Sequence, residues 1–245
     1  MTRSVLSDET YSAIRNLVLT HEIEPGARLN IDALALQLGV SPTPVREALA
    51  RLESDGLVLK TPMRGYTTTA LLTMREFSEL TQLRLLLEPW TARESALRSD
   101  AESAEALRAE LAGVRAAIAT TTEGPDTFRL LAEHDVRFHG FIAQMSGNEL
   151  IAQAFERMHY HLHTVRTYLA YRTSAGTSAE PAEVVAERLH VWESHGPVTR
   201  TIENHAAIAE AIIAGDADLA EQLMRAHIAV GRDQFLPIVE LNRAQ

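Results

Sequence analysis

The sequence contains no cysteine, which excludes a disulfide framework and a thiolate metal site. It also lacks any apolar run near the roughly 20 residues that a membrane-spanning helix needs. The first ten residues, MTRSVLSDET, show no apolar segment of the kind that forms a secretory signal. We therefore expect a cytoplasmic protein without a membrane partner, and 245 residues are enough for two domains with cores of their own.

The net charge of −10 argues, taken alone, against a nucleic-acid partner. The charge is unevenly distributed, because residues 1–75 contain eight Lys/Arg and eight Asp/Glu. The remaining chain holds 15 basic and 25 acidic residues. A neutral segment with a locally basic surface can bind an anionic partner whatever the charge of the whole chain. The N-terminal segment is therefore a candidate for DNA binding.

The stretch GVSPTPVREALARLESDGLV, residues 39–58, predicts a helix that begins rigidly after a glycine turn. Pro42 and Pro44 suit a first helical turn, where backbone donors have no intrahelical partner to lose. Gly39 ends the short helix before it. The following LVLKTPMRGYTTT predicts two short strands around a turn. Two helices joined by a tight turn and followed by a β-hairpin predict a winged helix-turn-helix.

Helical spacing turns Thr43 and Arg46 to the outside of this helix. The N-terminal end of a recognition helix enters the major groove, where these side chains could reach base edges or phosphates. Arg64, at the tip of the predicted hairpin, could enter the adjacent minor groove. The predicted DNA-contacting residues are Ser41, Thr43, Arg46, Arg51, Arg64 and Gly65.

A capping box of Thr73 and Glu76 predicts the start of a new helix and a boundary between domains 1–72 and 73–245. No strand pattern follows that boundary. A loop-rich section covers 173–199, with a short helix near 182–192. The second domain is thus expected to be an all-α bundle of six to seven helices, with the long ones over 74–98, 101–121, 126–146, 149–171, 200–214 and 217–234.

Polar side chains interrupt the apolar faces of three of these helices. Asp135 and His139 lie four residues apart on one helix, whereas His205 and His227 lie on two others. Each could be satisfied by a backbone carbonyl or another side chain. Burial of all four without partners would cost roughly 1–3 kcal/mol each, and a shared divalent cation would remove that cost. The pattern favours a metal site, whereas His134 is expected to face solvent.

Arg84 falls among apolar residues on the inner face of its helix, with Glu88 one turn further on. An internal ion pair and a guanidinium that awaits a small carboxylate both fit this placement. His159 and His163 flank the apolar stripe of a later helix, with Arg166 on their own face. We interpret Arg84, His159, His163 and Arg166 as effector-binding residues that line a pocket.

The sequence resembles a known family in both halves. LALQLGVSPTPVREALARLESDGLV followed by RGYTTT resembles the DNA-binding domain of GntR-family bacterial transcription regulators. LRLLLEPWTA, EHDVRFHGFIA and ENHAAIAEAIIAGDADLAEQLMRAHI resemble the FadR-type, or FCD, effector domain of that family. The resemblance implies a mainly α protein with a winged helix-turn-helix and an FCD bundle. Pro42 stands where the family often has an arginine, so one DNA contact of the family is absent here.

The resemblance also implies a ligand set. In FCD proteins an Asp and three His hold a divalent metal, and the motifs match Asp135, His139, His205 and His227. Zinc is the expected metal, with nickel or manganese as alternatives. An arginine near the effector corresponds to Arg84. Family members dimerise, bind palindromic operators and respond to a small organic acid, so we expect a homodimer with those partners.

These observations lead to the hypothesis of a ligand-responsive repressor with no catalytic residue. A direct metal sensor, in which the metal itself is the signal, is an alternative. A metal-dependent enzyme is a weaker one, since no separate general base on a mobile loop is visible and an enzyme needs no winged helix. A metal that serves only stability is the simplest remaining possibility.

Overall fold

The computed structural model describes residues 3–174 and 182–241. The chain divides into two compact units. The first comprises Met1–Leu72 together with Arg166–Thr173, and the second comprises Thr73–Val165 together with Ser174–Gln245. Part of one helix of the C-terminal half therefore belongs to the unit that the N-terminal segment builds.

The first unit is a winged helix-turn-helix. Its three strands form an antiparallel sheet in the order β1-β3-β2, in which Arg28 pairs with Thr67 and Lys60 with Tyr66. The two-residue strand β1 was not predicted, because two residues are too few to show a strand pattern. The elements are α1 (Arg3–Leu19), β1 (Arg28–Leu29), α2 (Ile31–Leu38), α3 (Pro42–Ser54), β2 (Val58–Thr61) and β3 (Gly65–Thr68).

Local sequence signals set the ends of the two helices of this motif. The side chain of Asn30 accepts hydrogen bonds from two backbone N–H groups at the start of α2. Gly39 ends α2 in the left-handed region, with φ +66°. Ser41 is the N-cap residue of α3, and Pro42 occupies its first turn. Its buried face, which includes Val45, packs against α1 and forms the core of the unit.

The second unit is all-α, as predicted. Its elements are α4 (Met74–Arg98), α5 (Ala101–Ala119), α6 (Pro125–Met145), α7 (Glu149–Met158), the start of α8 (Tyr160–Ser174), α9 (Ala182–Glu193), α10 (His195–Ile213) and α11 (Ala217–Leu241). The helix predicted over 149–171 is divided, because His159 adopts the left-handed conformation at φ +46° and ends α7. The short helix expected near 182–192 is α9. The loop before it falls largely on 175–181, outside the described residues.

The core of the second unit lies between α4, α5, α6, α10 and α11. The capping box of Thr73 and Glu76 starts α4, and α4 packs along α11. Buried side chains such as Leu107, Phe138 and Met224 fill the space between the helices. This packing brings the inner faces of α6, α10 and α11 together. Among the described residues, no helix is long and apolar enough to cross a membrane.

Candidate functional site

Three histidines from three helices meet in the second unit. His139 of α6, His205 of α10 and His227 of α11 each offer a ring nitrogen, and these nitrogens all lie within 4.8 Å of one another. The Nε2 atoms of His205 and His227 are 3.1 Å apart. His139 and His205 are buried, whereas His227 is partly exposed toward a cavity. Helical spacing predicted these three residues on the inner faces of their helices, and the structure brings those faces together.

Asp135 lies beside this group, one helical turn before His139. Its Oδ1 lies 3.9 Å from Nε2 of His205 and has no hydrogen-bond partner within the described chain. The Nε2 of His139 is likewise buried without a partner there. Unsatisfied buried polar atoms cost about 1–3 kcal/mol each. A divalent cation at about 2.0–2.2 Å from nitrogen and carboxylate ligands would satisfy both atoms, so the residues fit a metal.

Burial controls the charge of these groups. It lowers the pKa values of His205 and His227 far below the ordinary value, and neighbouring histidines lower them further. Burial also raises the pKa of Asp135. Neutral imidazole is the form that binds a metal, and a cation would offset the cost of the Asp135 charge. The electrostatics therefore favour a cationic ligand over a protonated histidine cluster.

Arg84 and Glu88 of α4 are both buried and form a two-pronged ion pair, with Nη2 of Arg84 3.1 Å from Oε2 of Glu88. Although burial opposes both charges, each partner stabilises the other, so the pKa of Arg84 is raised and that of Glu88 is held well below its usual range. Oε2 of Glu88 also lies 2.7 Å from Nδ1 of His139, although that contact misses hydrogen-bond geometry. The internal pair predicted for Arg84 is present. Glu88 is also a neighbour of His139, one of the candidate metal ligands.

His134 was expected in solvent, and the structure shows that this was wrong. It is fully buried, and its Nε2 lies 2.9 Å from Nδ1 of His205. Its Nδ1 lies 2.9 Å from Oε1 of Glu110 on α5, and Glu110 also pairs with Arg137. Burial lowers the pKa of His134. The physical reason is its spacing, three residues after Leu131, which puts it on the inner face of α6.

A small cavity that is partly open to solvent adjoins His227. Arg84, Asp135 and His227 reach it. Apolar side chains such as Phe128 and Ile228 line part of it. Polar side chains from α8, α10 and α11 line another part, among them Tyr160, His161, Thr164, Arg200, Thr201, Asn204 and Gln234. The ring of Tyr160 lies 4.1 Å from the guanidinium carbon of Arg84. This lining mixes cationic and hydrogen-bonding groups, as recognition of a small anion requires.

His159, His163 and Arg166 are not among the residues that line this cavity, and their role in effector binding stays a prediction. His159 is the C-cap of α7, and His163 interacts with Glu76. Arg166 belongs to the first unit and donates to the carbonyls of Thr69 and Ala70.

His161, which the sequence analysis did not single out, takes the inward position instead. It is buried, and its Nδ1 lies 3.8 Å from Oδ2 of Asp135. Burial lowers its pKa far below the ordinary value. His161 lies three residues after the buried Met158, so helical spacing was compatible with its inward position.

In the first unit, Thr43 and Arg46 are exposed on α3, and Ser41 precedes it in the chain. Arg64, in the turn between β2 and β3, and Gly65, the first residue of β3, are exposed at the tip of the wing. Arg51 is engaged differently, because its guanidinium pairs with Asp8 at 2.6 Å and stacks on Tyr11 of α1. The structure therefore gives Arg51 a role in packing within the unit. Among the contacts described, none shows the side chains of the other five predicted DNA-contacting residues in such packing.

Comparisons with known proteins match both units. A family model described as "FCD domain" matches residues 79–230, which is more than half of the chain, and one described as "Bacterial regulatory proteins, gntR family" matches residues 6–67. An Escherichia coli K12 protein, provisionally named as an L-lactate dehydrogenase operon regulatory protein, is 29% identical over 91% of this chain and 84% of its own. A Paenarthrobacter nicotinovorans protein, provisionally named as a D-xylose utilization operon transcriptional repressor, is 25% identical over 94% of this chain and 88% of its own.

A solved structure of similar fold is E. coli McbR/YncC, with a TM-score of 0.63 and 19% identity, covering 94% of this chain and 96% of that one. At that identity the likeness concerns the fold alone. The sequence relatives carry names of transcription regulators, not of enzymes.

Proposed function

This chain belongs to the GntR family of bacterial regulators and carries an FCD domain, and from that membership we propose a ligand-responsive repressor that binds one divalent metal and a small carboxylate. DNA-binding transcription regulation is the general function of the family. The metal, the carboxylate, the homodimer and the direction of regulation are the proposal. Since such a regulator acts on the chromosome, the proposal places it in the cytoplasm.

The observation that carries the proposal is the meeting of His139, His205 and His227 beside Oδ1 of Asp135, which has no hydrogen-bond partner among the described residues. These four residues would hold the metal, and zinc suits three imidazoles and a carboxylate. A bound zinc would supply a Lewis acid with room for a further oxygen ligand. The residues themselves orient that site and keep most water out.

The cavity supports a small carboxylate as the effector. Asp135 and His227 lie in its wall, and Arg200 and Gln234 offer hydrogen-bond donors from α10 and α11. Arg84 also reaches the cavity, although its guanidinium is already paired with Glu88. The name of the E. coli relative refers to L-lactate dehydrogenase, and lactate is a small hydroxy acid. A hydroxy or keto acid is therefore the class of ligand we propose.

Repression follows from differential binding. A homodimer would place two recognition helices on the half-sites of a palindromic operator, about 34 Å apart. The effector can release or tighten that complex only through unequal affinity for the two arrangements of the dimer. The Paenarthrobacter relative, named as a repressor, supports the repressor reading.

A thermal-shift assay tests the proposal on the full-length protein. Zinc added after chelator treatment should raise the melting temperature, because a ligand that binds the folded state stabilises it. L-Lactate, pyruvate and citrate are then added with and without zinc, and at least one should raise the melting temperature further only when zinc is present. His227→Gln should abolish the zinc response, whereas His190→Gln, at an exposed position on α9, should retain it.

Absence of any zinc response in the wild-type protein would refute the metal centre. A zinc response with no carboxylate effect, combined with zinc-dependent operator binding, would replace the proposal by the direct metal sensor. A zinc response without either effect would leave a metal that only stabilises the fold.

A further inference from the structure

Glu110, His134 and His205 form a continuous chain of contacts from the surface of the second unit to its centre. The carboxylate of Glu110 is partly exposed and lies 2.9 Å from Nδ1 of His134. Nε2 of His134 lies 2.9 Å from Nδ1 of His205. His134 and His205 are both fully buried. The last ring nitrogen of the chain, Nε2 of His205, faces His227 and Asp135.

The chemistry of these groups determines where the protons lie. An ionised carboxylate only accepts hydrogen bonds, so Nδ1 of His134 must carry a proton that it donates to Glu110. The neutral ring of His134 then has a lone pair on Nε2. A hydrogen bond across the 2.9 Å contact requires His205 to donate from Nδ1. His205 is consequently left with a lone pair on Nε2, which points into the histidine group.

We infer that Glu110 and His134 are positioning residues that hold His205 in the Nδ1–H tautomer and so present its Nε2 lone pair to a metal. The inference rests on the metal centre proposed above and adds two residues behind it. Partners of this kind fix the ring orientation and the basicity of a histidine ligand. Without them, the Nε2 of His205 would carry the proton in part of the molecules and could not bind a cation.

We call the chain of contacts Glu110–His134–His205 the relay. Arg137 stabilises the carboxylate at its outer end. Its guanidinium lies 3.0 Å from both carboxylate oxygens of Glu110. Although partial burial opposes ionisation, the hydrogen bonds from Arg137 and His134 keep the pKa of Glu110 below its ordinary value. The carboxylate therefore remains the acceptor that the relay requires.

Two variants break the relay in different ways. Glu110→Gln keeps the size of the side chain but adds an amide that can donate as well as accept, so His134 is no longer restricted to one tautomer. His134→Phe removes the acceptor that His205 requires. Glu133→Gln is the matched control, because Glu133 lies on α6, pairs with Arg129 and takes no part in the relay.

The first measurement is long-range ¹H–¹⁵N NMR of the metal-free protein labelled on histidine, with His205 assigned through its loss in His205→Gln. In the wild-type protein and in Glu133→Gln, Nδ1 of His205 should be protonated and Nε2 unprotonated. In Glu110→Gln and His134→Phe both tautomers should be present. The second measurement is zinc affinity by competition with a fluorescent chelator, in which the relay variants should bind about 10- to 100-fold more weakly than the control.

A wild-type His205 protonated on Nε2 would overturn the inference, and so would relay variants that match Glu133→Gln in both measurements. If His134→Phe does not fold, Glu110→Gln decides, because residue 110 is partly exposed and tolerates an isosteric change. Wild-type protein that binds no zinc would refute the metal centre by itself. The tautomer in the metal-free chain would still decide the relay.

Discussion

Two arginines of α3 differ in their surroundings. Arg51 is tied to Asp8 and Tyr11 of α1, and its removal would disturb the packing of the unit. Arg46 is exposed on the first turns of α3, next to Thr43 and away from the buried face. A substitution at Arg46 therefore separates DNA contact from folding better than one at Arg51 does.

We expect Arg46→Ala to weaken operator binding by about 1–3 kcal/mol, because one guanidinium contact to a base or phosphate is lost. Fluorescence anisotropy at several salt concentrations measures this loss. If Arg46 contacts a phosphate, the salt dependence should also become shallower, because fewer counterions are released. Arg108→Ala, an exposed position on α5, removes the same charge outside the DNA-binding unit and should leave affinity unchanged. Equal affinities for the two variants would exclude Arg46 from the contact.

The residues of the candidate site show what helical spacing could and could not predict. Spacing identified His139, His205 and His227, since each interrupts an apolar face. The same spacing applies to His134, four residues before the buried Phe138, yet its partner Glu110 lies on a different helix. A single helix pattern does not show which residues of another helix pack against it. The contact between His134 and Glu110 could therefore be recognised only from the packing of α5 on α6.

At the scale of elements, the helix ends with strong local signals agreed with the structure. Gly39 ends α2, and Thr73 caps α4, because helix ends depend on a few neighbouring residues. The end of α7 at His159 had no such signal, since a non-glycine residue rarely adopts positive φ. The helix α8 begins directly after this residue, and Tyr160 and His161, not His159 and His163, line the cavity.

Gly39 offers a test of the turn within the helix-turn-helix. Its N–H donates to the carbonyl of Leu36, and that of Val40 donates to Ala35, so the turn depends on the left-handed conformation at φ +66°. Nothing lies within 4 Å of a Cβ added at Gly39, so Gly39→Ala should cost about 1 kcal/mol through backbone strain alone.

Gly113→Ala is the matched substitution, in the interior of α5 with equal space around it. It should instead stabilise by about 0.5–1 kcal/mol, because alanine has the better helix propensity. Urea unfolding followed by circular dichroism measures both. Shifts of the same sign would contradict this account of the turn.

At the scale of the whole molecule, the acidic excess lies in the part of the chain that follows residue 75. The DNA-binding segment is neutral overall, and its exposed basic residues on α3 and the wing face solvent. Because an excess of acidic residues disfavours approach of the DNA phosphates, we expect DNA contact at those basic residues. The pattern explains why the net charge alone gave the wrong indication about a nucleic-acid partner.

Burial of neutral histidines couples the stability of the metal-free protein to pH. The pKa values of His134, His161, His205 and His227 are all lowered in the folded state, chiefly by burial. In the unfolded chain a histidine titrates near about 6.5, so below that pH the unfolded state binds more protons than the folded state. The free energy of unfolding should therefore fall as the pH decreases from 7.5 to 5.5. Asp135, whose folded pKa is raised by burial, opposes this trend as a single group.

The expected loss is at most about 1.4 kcal/mol per pH unit for each histidine below its unfolded pKa, so several histidines together give a steep dependence. Urea unfolding in the presence of chelator at pH 7.5, 6.5 and 5.5 measures it. His205→Gln should reduce the change of the free energy of unfolding with pH by the contribution of one buried histidine. His190→Gln, at an exposed position on α9, should leave that change unaltered. Zinc should raise the free energy of unfolding at each of these pH values, because it binds the folded state, in which these histidines are already neutral. A free energy of unfolding that stays constant over this range would mean that the histidines are not held neutral by burial, and the physical basis for a cation among them would be lost.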